Sequence, residues 1–125
     1  MIVGIGVDIV EVYRIAETLD RTPRFRERVF TERERAYCDA KGVAAPQSYA
    51  GRFAAKEAFL KALKTGWRGL ITWHDIEILS DAEGVPQLEI SGEAASLFSA
   101  SGATRAHLSI SHTSEHAVAQ VIFEK

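Results

Sequence analysis

The sequence predicts an α+β domain, with an antiparallel sheet packed by helices, and three observations predict it. Residues 1–10 alternate with the two-residue period of a strand. From about residue 11 to residue 64 apolar residues recur at helical spacing. From residue 73 onward, short alternating runs are separated by turn residues. Helices early and antiparallel strands late make an α+β pattern, not an alternating parallel one.

The elements follow in order. In the first strand Val3, Ile5, Val7 and Ile9 point one way and are all β-branched. Ile2, Gly4, Gly6, Asp8 and Val10 point the other way, and the two glycines bare that face for close packing. Val12, Ile15, Ala16 and Leu19 form the apolar stripe of a helix over 11–21. Thr22 and Pro23 predict a cap with proline in the first turn of a second helix. Thr31 and Glu34 have the spacing of a capping box, opening a third helix that ends near Gly42. After Pro46 the strongest helix spans about 47–64, with Gly66 just beyond. Strands are expected at 73–80 and 86–90 around the turn 81–84, a short helix at 92–100 ended by Gly102, and strands at 105–112 and 116–124 joined around Thr113.

The 125 residues fit one domain, 1–125, and their 46% apolar content suits a globular chain. One cysteine, Cys38, allows no intrachain disulfide, which fits a reducing cytoplasmic setting. The start has no basic n-region and no apolar run spans a bilayer, so neither a secretory leader nor a membrane partner is expected, and nucleic acid is not an expected partner either. The net charge of −2 hides an asymmetry: residues 1–66 carry 12 Lys/Arg and 9 Asp/Glu, residues 67–125 carry 3 and 8. A net +3 first half suggests an anionic ligand or partner there, although solvated helix faces explain the same excess.

On the helix from Arg52 to Lys64, Phe53, Phe59, Leu60, Ala62 and Leu63 make an apolar arc, while Glu57, Lys61 and Lys64 share an adjacent face. Glu57 and Lys61 alone read as a solvated i,i+4 pair worth ~0.3–0.5 kcal/mol. Lys56 falls inside the arc, where a lysine must snorkel, pair or serve a site. Asp8 and Glu57 could offer two hard oxygen ligands to one Mg²⁺, which typically takes one or two carboxylates and completes its shell with water and phosphate. Arg52, Lys56, Lys61 and Lys64 would then neutralise a pyrophosphate. That arrangement requires the helix to lie across the glycine-bared face of the first strand. His112 ends a strand and alone reads as an ordinary satisfied histidine. Cys38 and the histidines match no zinc spacing. Trp67 and Trp73 read as core or interface residues, and Gly4 with Gly6 lacks the third glycine of a dinucleotide fingerprint.

Taken together, three motifs resemble the holo-acyl-carrier-protein synthases, the short stand-alone 4′-phosphopantetheinyl transferases. They are Gly4-Ile5-Gly6-Val7-Asp8-Ile9, Arg52-Phe53-Ala54-Ala55-Lys56-Glu57-Ala58 with Lys61, and Ser109-Ile110-Ser111-His112-Thr113. The match runs along essentially the whole chain, and its middle motif is the specific one. The resemblance implies an α+β homotrimer with active sites at subunit interfaces. It implies transfer of 4′-phosphopantetheine from coenzyme A to a serine of apo acyl carrier protein. Mg²⁺ on Asp8 and Glu57 is implied, with Lys61 offsetting charge and either Glu57 or a metal-held water as base. It further implies that Arg52, Lys56, Lys64, Gly66, His112 and Thr113 bind coenzyme A, and that Arg14, Arg21, Arg24 and Phe25 dock the acidic carrier protein.

One departure stands out. Some relatives place two adjacent basic residues before the Arg52 motif, where this chain has Lys41 alone, so the loop of Lys64, Thr65 and Gly66, or Arg68, is expected to compensate. The competing expectations are a non-catalytic oligomeric module that binds an acidic protein through its arginine-rich helices, and a different magnesium-dependent nucleotide or pyrophosphate enzyme.

Overall fold

The computed structural model describes residues 1–64 and 70–125. Strand β1 (Ile2–Glu11) leads into helices α1 (Val12–Arg21), α2 (Phe25–Val29) and α3 (Glu32–Asp39). A 3₁₀ turn at Gly42–Ala44 feeds the long helix α4 (Ala45–Leu63). Strands β2 (Ile76–Ser80) and β3 (Pro86–Ile90), helix α5 (Gly92–Ala100) and strands β4 (Arg105–His112) and β5 (His116–Glu124) complete the chain. The α+β expectation holds, with the strands divided between a three-stranded antiparallel sheet, order β1-β5-β4, and a separate β2-β3 hairpin.

The seat of α4 on β1 organises the domain. Ala54, Ala58 and Ala62 recur every four residues and are buried on the helix face that meets the sheet. A Cβ on Gly6 would stand 1.9 Å from the Ala58 carbonyl oxygen, and one on Gly4 would stand 2.6 Å from that of Ala62. Alanine facing glycine thus brings helix backbone against strand backbone, and no larger residue fits at either glycine. The rest of this core comes from Phe59, Phe98 and Phe123, whose rings meet at centroid distances of 4.9–6.2 Å, and from Ile76, Ile78 and Val121. A second core joins α1, α2 and α3 to the first half of α4 through Ile15, Phe25, Phe30 and Tyr49.

Local chemistry explains the helix boundaries. The Thr31 hydroxyl accepts from the Glu34 N–H at 3.2 Å and the Glu34 carboxylate accepts from the Thr31 N–H at 2.8 Å, which is the expected capping box. Thr22 ends α1 through an N–H donated to the Thr18 carbonyl instead of capping α2, which begins only at Phe25. Pro46 lies in the first turn of α4, where its missing N–H costs nothing. Lys64 closes α4 in the left-handed region, φ 66°, taking the role expected of Gly66, which lies outside the described residues. The expected strand at 73–80 opens with a 3₁₀ turn, Trp73–Asp75, because Thr72 and Asp75 form a capping box of their own.

Two expectations are corrected by burial. Lys56 has no exposed surface; its ammonium donates to Glu34 Oε1 at 2.8 Å and to the Trp73 carbonyl at 3.0 Å. Glu34 Oε2 accepts the Ile78 N–H at 2.8 Å, so one buried pair ties α3, α4 and β2 together. Burial holds the Lys56 ammonium below its ordinary pKa, against the pull of Glu34. Lys56 is therefore a core residue and does not touch a ligand. Phe25 packs against Phe30 and Phe53 at 5.9 and 6.1 Å and is buried, so it supports the arginine-bearing surface from beneath instead of contacting a partner.

The close seat predicts a large effect from a small change. Gly6→Ala should cost ~3 kcal/mol, the upper end of overpacking costs, measured by chemical denaturation. A variant as stable as the parent would contradict the backbone contact.

Candidate active site

Gly4 lies under Ala62 and Gly6 under Ala58, so α4 advances one turn for every two strand residues, running against β1. Asp8, the next residue on that strand face, therefore stands beside the middle of α4. Helix side chains lean toward the helix N-terminus, which carries Lys61 from the level of the glycines toward Asp8. The Lys61 ammonium donates to Asp8 Oδ1 and to the Val7 carbonyl, each at 3.0 Å. Glu57 sits one turn earlier on the same flank of α4. The Asp8 side chain is only 16% exposed, sheltered by the helix yet open at the sheet's edge strand. The structure thus brings Asp8 and Lys61 into contact with Glu57 alongside, as the sequence arrangement required.

Among the described residues no group of three or more His, Cys, Asp or Glu gathers as a metal cage. The chemistry of Asp8 and Glu57, two carboxylates beside a flanking ammonium, fits a hard cation that takes most of its ligands from phosphate and water.

The other predicted ligand residues lie elsewhere. At about 100° per residue Arg52 and Lys61 point half a turn apart around α4. Arg52 enters a cavity of ≈ 310 Å³ on the far flank, shared with Tyr37, Lys41, Ser48, Ser80 and His112. The Arg52 side chain is 95% buried in this wall, being 5% exposed. Its Nη2 donates to Ser80 Oγ at 3.0 Å, and its Cζ stands 4.0 Å from the centre of the Tyr37 ring. Its Nε is buried with no hydrogen-bond partner among the described residues. Lys41 Nζ lies 4.6 Å from the same ring centre. No carboxylate lines the cavity among the described residues, so its cations are left for an anion.

His112 ends β4 at the cavity's rim. Thr113, next in the chain, uses its hydroxyl to accept the N–H groups of Glu115 and His116 at 3.2 and 3.1 Å, and so shapes the β4–β5 turn. Lys64 is exposed at the end of α4 and is not in the cavity wall; Gly66, Thr65, Trp67 and Arg68 lie outside the described residues. Arg52 shares this wall with Lys41, and the loop expected to supply a further cation lies largely outside the described residues. Sequence reasoning missed Tyr37 and Ser80, whose only signal was their occurrence near Lys41 and before a turn.

Arg14, Arg21 and Arg24 are exposed on α1 and at the approach to α2, and Arg28 extends the same basic surface. Arg14 pairs with Glu11 at 2.9 Å and Arg21 lies 4.0 Å from Glu17, surface pairs that leave both guanidinium groups accessible.

Comparisons with known proteins show the family. A holo-[acyl-carrier-protein] synthase of Koribacter versatilis is 49% identical over 125 residues, covering 99% of each chain. One from Trichlorobacter lovleyi is 50% identical, covering 99% of this chain and 98% of the other. Among solved structures, a holo-(acyl-carrier-protein) synthase from Bacillus anthracis in complex with CoA (3′,5′-ADP) superposes with a TM-score of 0.81 at 45% identity, over 98% of this chain and 96% of that one. The holo-[acyl-carrier-protein] synthase from Neisseria meningitidis gives 0.86 at 38% identity over the whole of both chains. The profile of the 4′-phosphopantetheinyl transferase superfamily matches residues 4–121, and the chain belongs to that superfamily.

Proposed function

We propose that this chain transfers the 4′-phosphopantetheine group of coenzyme A to a serine of apo acyl carrier protein, releasing adenosine 3′,5′-bisphosphate. The observation that carries this reading is the contact of Asp8 with Lys61 across the glycine seat of α4, in a chain nearly half identical along its length to proteins named for that reaction. The carrier serine oxygen forms a bond to the pantetheine-bearing phosphorus, and the bond from that phosphorus to the bisphosphate oxygen breaks. The leaving group takes the bonding pair. The serine proton passes to Glu57 or to a water. Lys61 offsets the negative charge that spreads over the phosphoryl oxygens. Asp8 and Glu57 would hold Mg²⁺, which when bound supplies divalent charge opposite the pyrophosphate. Arg52, Lys41 and His112 bind the anionic nucleotide end, and Lys64, Gly66 and Thr113 complete its surroundings.

The same geometry supports a shared-site assembly. On β1 the face away from α4 exposes Ile5, Val7 and Ile9 at 57%, 54% and 66%. An apolar row of this kind on an edge strand calls for cover. Within one chain Asp8 and Arg52 lie on opposite flanks of α4, so a single coenzyme A meets both when the Asp8 flank of one copy faces the Arg52 flank of the next. A head-to-tail contact of that type can close into a ring, and the homotrimer implied by the family resemblance is such a ring. Arg14, Arg21, Arg24 and Arg28 meet the acidic carrier protein outside this ring. Among the described residues no helix is long and apolar enough to cross a membrane, and with the buried free thiol of Cys38 we place the enzyme in the cytoplasm.

The test is to incubate the chain with apo acyl carrier protein, coenzyme A and Mg²⁺ and weigh the carrier protein intact. One added phosphopantetheine, abolished by EDTA, is the expected result; a folded enzyme that leaves the carrier mass unchanged overturns the reading. Asp8→Ala and Glu57→Ala should each lower kcat by ~10²-fold or more while melting near the parent temperature. Parental turnover in both variants would remove these residues from the site.

A further inference from the structure

We propose that Tyr37 and Ser80 are positioning residues that aim Arg52 and Lys41 at coenzyme A, forming an uncharged clamp that orders two cations without neutralising them. The proposal rests on the coenzyme A reading above. Several other arginines pair with acids: Arg33 with Glu77 at 2.6 Å, Arg14 with Glu11 at 2.9 Å, and Arg26 with Asp39. In each of those pairs the guanidinium faces a carboxylate. Arg52 is held differently. Its guanidinium lies over the Tyr37 ring at 4.0 Å and donates through Nη2 to the Ser80 hydroxyl at 3.0 Å. Ring face and hydroxyl are both neutral, so the full positive charge remains.

The ring does a second job. Lys41 Nζ lies over it at 4.6 Å, so two like charges share one aromatic ring. The negative π face offsets part of their mutual repulsion, as no aliphatic residue would. Ser80 accepts from Arg52, and the Tyr37 phenol, beside Ser80, Lys41 and Arg52, is held below its ordinary pKa against the effect of burial. A chain of contacts from α4 through the end of β2 to α3 thus fixes the guanidinium plane. The Nε of this 95% buried side chain is left without an acceptor in the wall of an acid-free cavity. A desolvated donor in that state is a cost the fold carries for holding the guanidinium in this wall.

The experiment measures KM for coenzyme A and kcat for transfer to apo acyl carrier protein in Tyr37→Leu, Tyr37→Phe, Ser80→Ala, Arg52→Gln and the double variants that join Arg52→Gln to Tyr37→Leu or Ser80→Ala. Coenzyme A binding is measured by calorimetry alongside, and melting temperatures monitor the fold. Tyr37→Leu should raise KM roughly tenfold and leave kcat within about twofold, and Tyr37→Phe, which keeps the ring, should recover most of the loss. In the Arg52→Gln background neither Tyr37→Leu nor Ser80→Ala should add more than about twofold, because their effect passes through Arg52. Should Tyr37→Leu melt early, the Ser80→Ala pair carries the same comparison. Parental KM in the single variants, or single effects that multiply undiminished in the doubles, overturns the clamp while leaving coenzyme A as substrate. A parent chain that binds no coenzyme A overturns the clamp and the coenzyme A reading together.

Discussion

The rest of the structure depends on a backbone contact: α4 rests directly on β1 because Gly4 and Gly6 have no side chains and Ala58 and Ala62 have little more than one. That seat sets the helix's height and rotation over the sheet. Asp8, two residues beyond Gly6, is then carried to the flank where Lys61 reaches it. An acid on a strand and a base on a helix 53 residues away meet because nothing intervenes between their backbones. A single methyl group at Gly6 would collide with the Ala58 carbonyl, so the geometry of the site and the packing of the core are one constraint.

The same helix solves two burial problems in opposite ways. Lys56 and Arg52 are consecutive turns of α4 and both are nearly or wholly buried. Lys56 is neutralised by Glu34 and becomes an internal strut. Arg52 keeps its charge, with a ring and a hydroxyl for neighbours and one N–H left over. A burial pattern alone does not separate these roles; the sign and charge of the partner does.

What could be read in the sequence was what depends on local periodicity and caps. The glycine-bared face of the first strand, the capping box at Thr31 and the turns between the late strands all come from residues within a few positions of each other, and each appears in the structure. The requirement that α4 cross the glycine face was legible too, because two glycines in a strand leave room for little else than a close neighbour. Lys56 was readable as an anomaly but not as a strut, since its partner Glu34 is 22 residues away and belongs to another helix. The cavity was half legible: Arg52 was visible as a cation of the helix and His112 entered through the resemblance, but Tyr37 and Ser80 gain their roles only when α3 and β2 converge on α4. Phe25 was assigned to the docking surface through the family resemblance, whereas its ring fills the second core.

Because α4 turns Asp8 and Arg52 to opposite flanks, the proposed site would be whole only between copies, and the exposed apolar row on β1 would give those copies a surface on which to meet. Shared assembly is open to a direct measurement. Asp8→Ala and Arg52→Ala chains, each of low activity alone, would be mixed in equal amounts under conditions that let subunits exchange, and phosphopantetheine transfer would be followed. If each site joins the Asp8 flank of one copy to the Arg52 flank of another, random mixing restores about a quarter of the sites and transfer rises to about a quarter of the parental rate. Exchange with no recovery would contradict the account, because it would mean that both flanks serve a site within one chain.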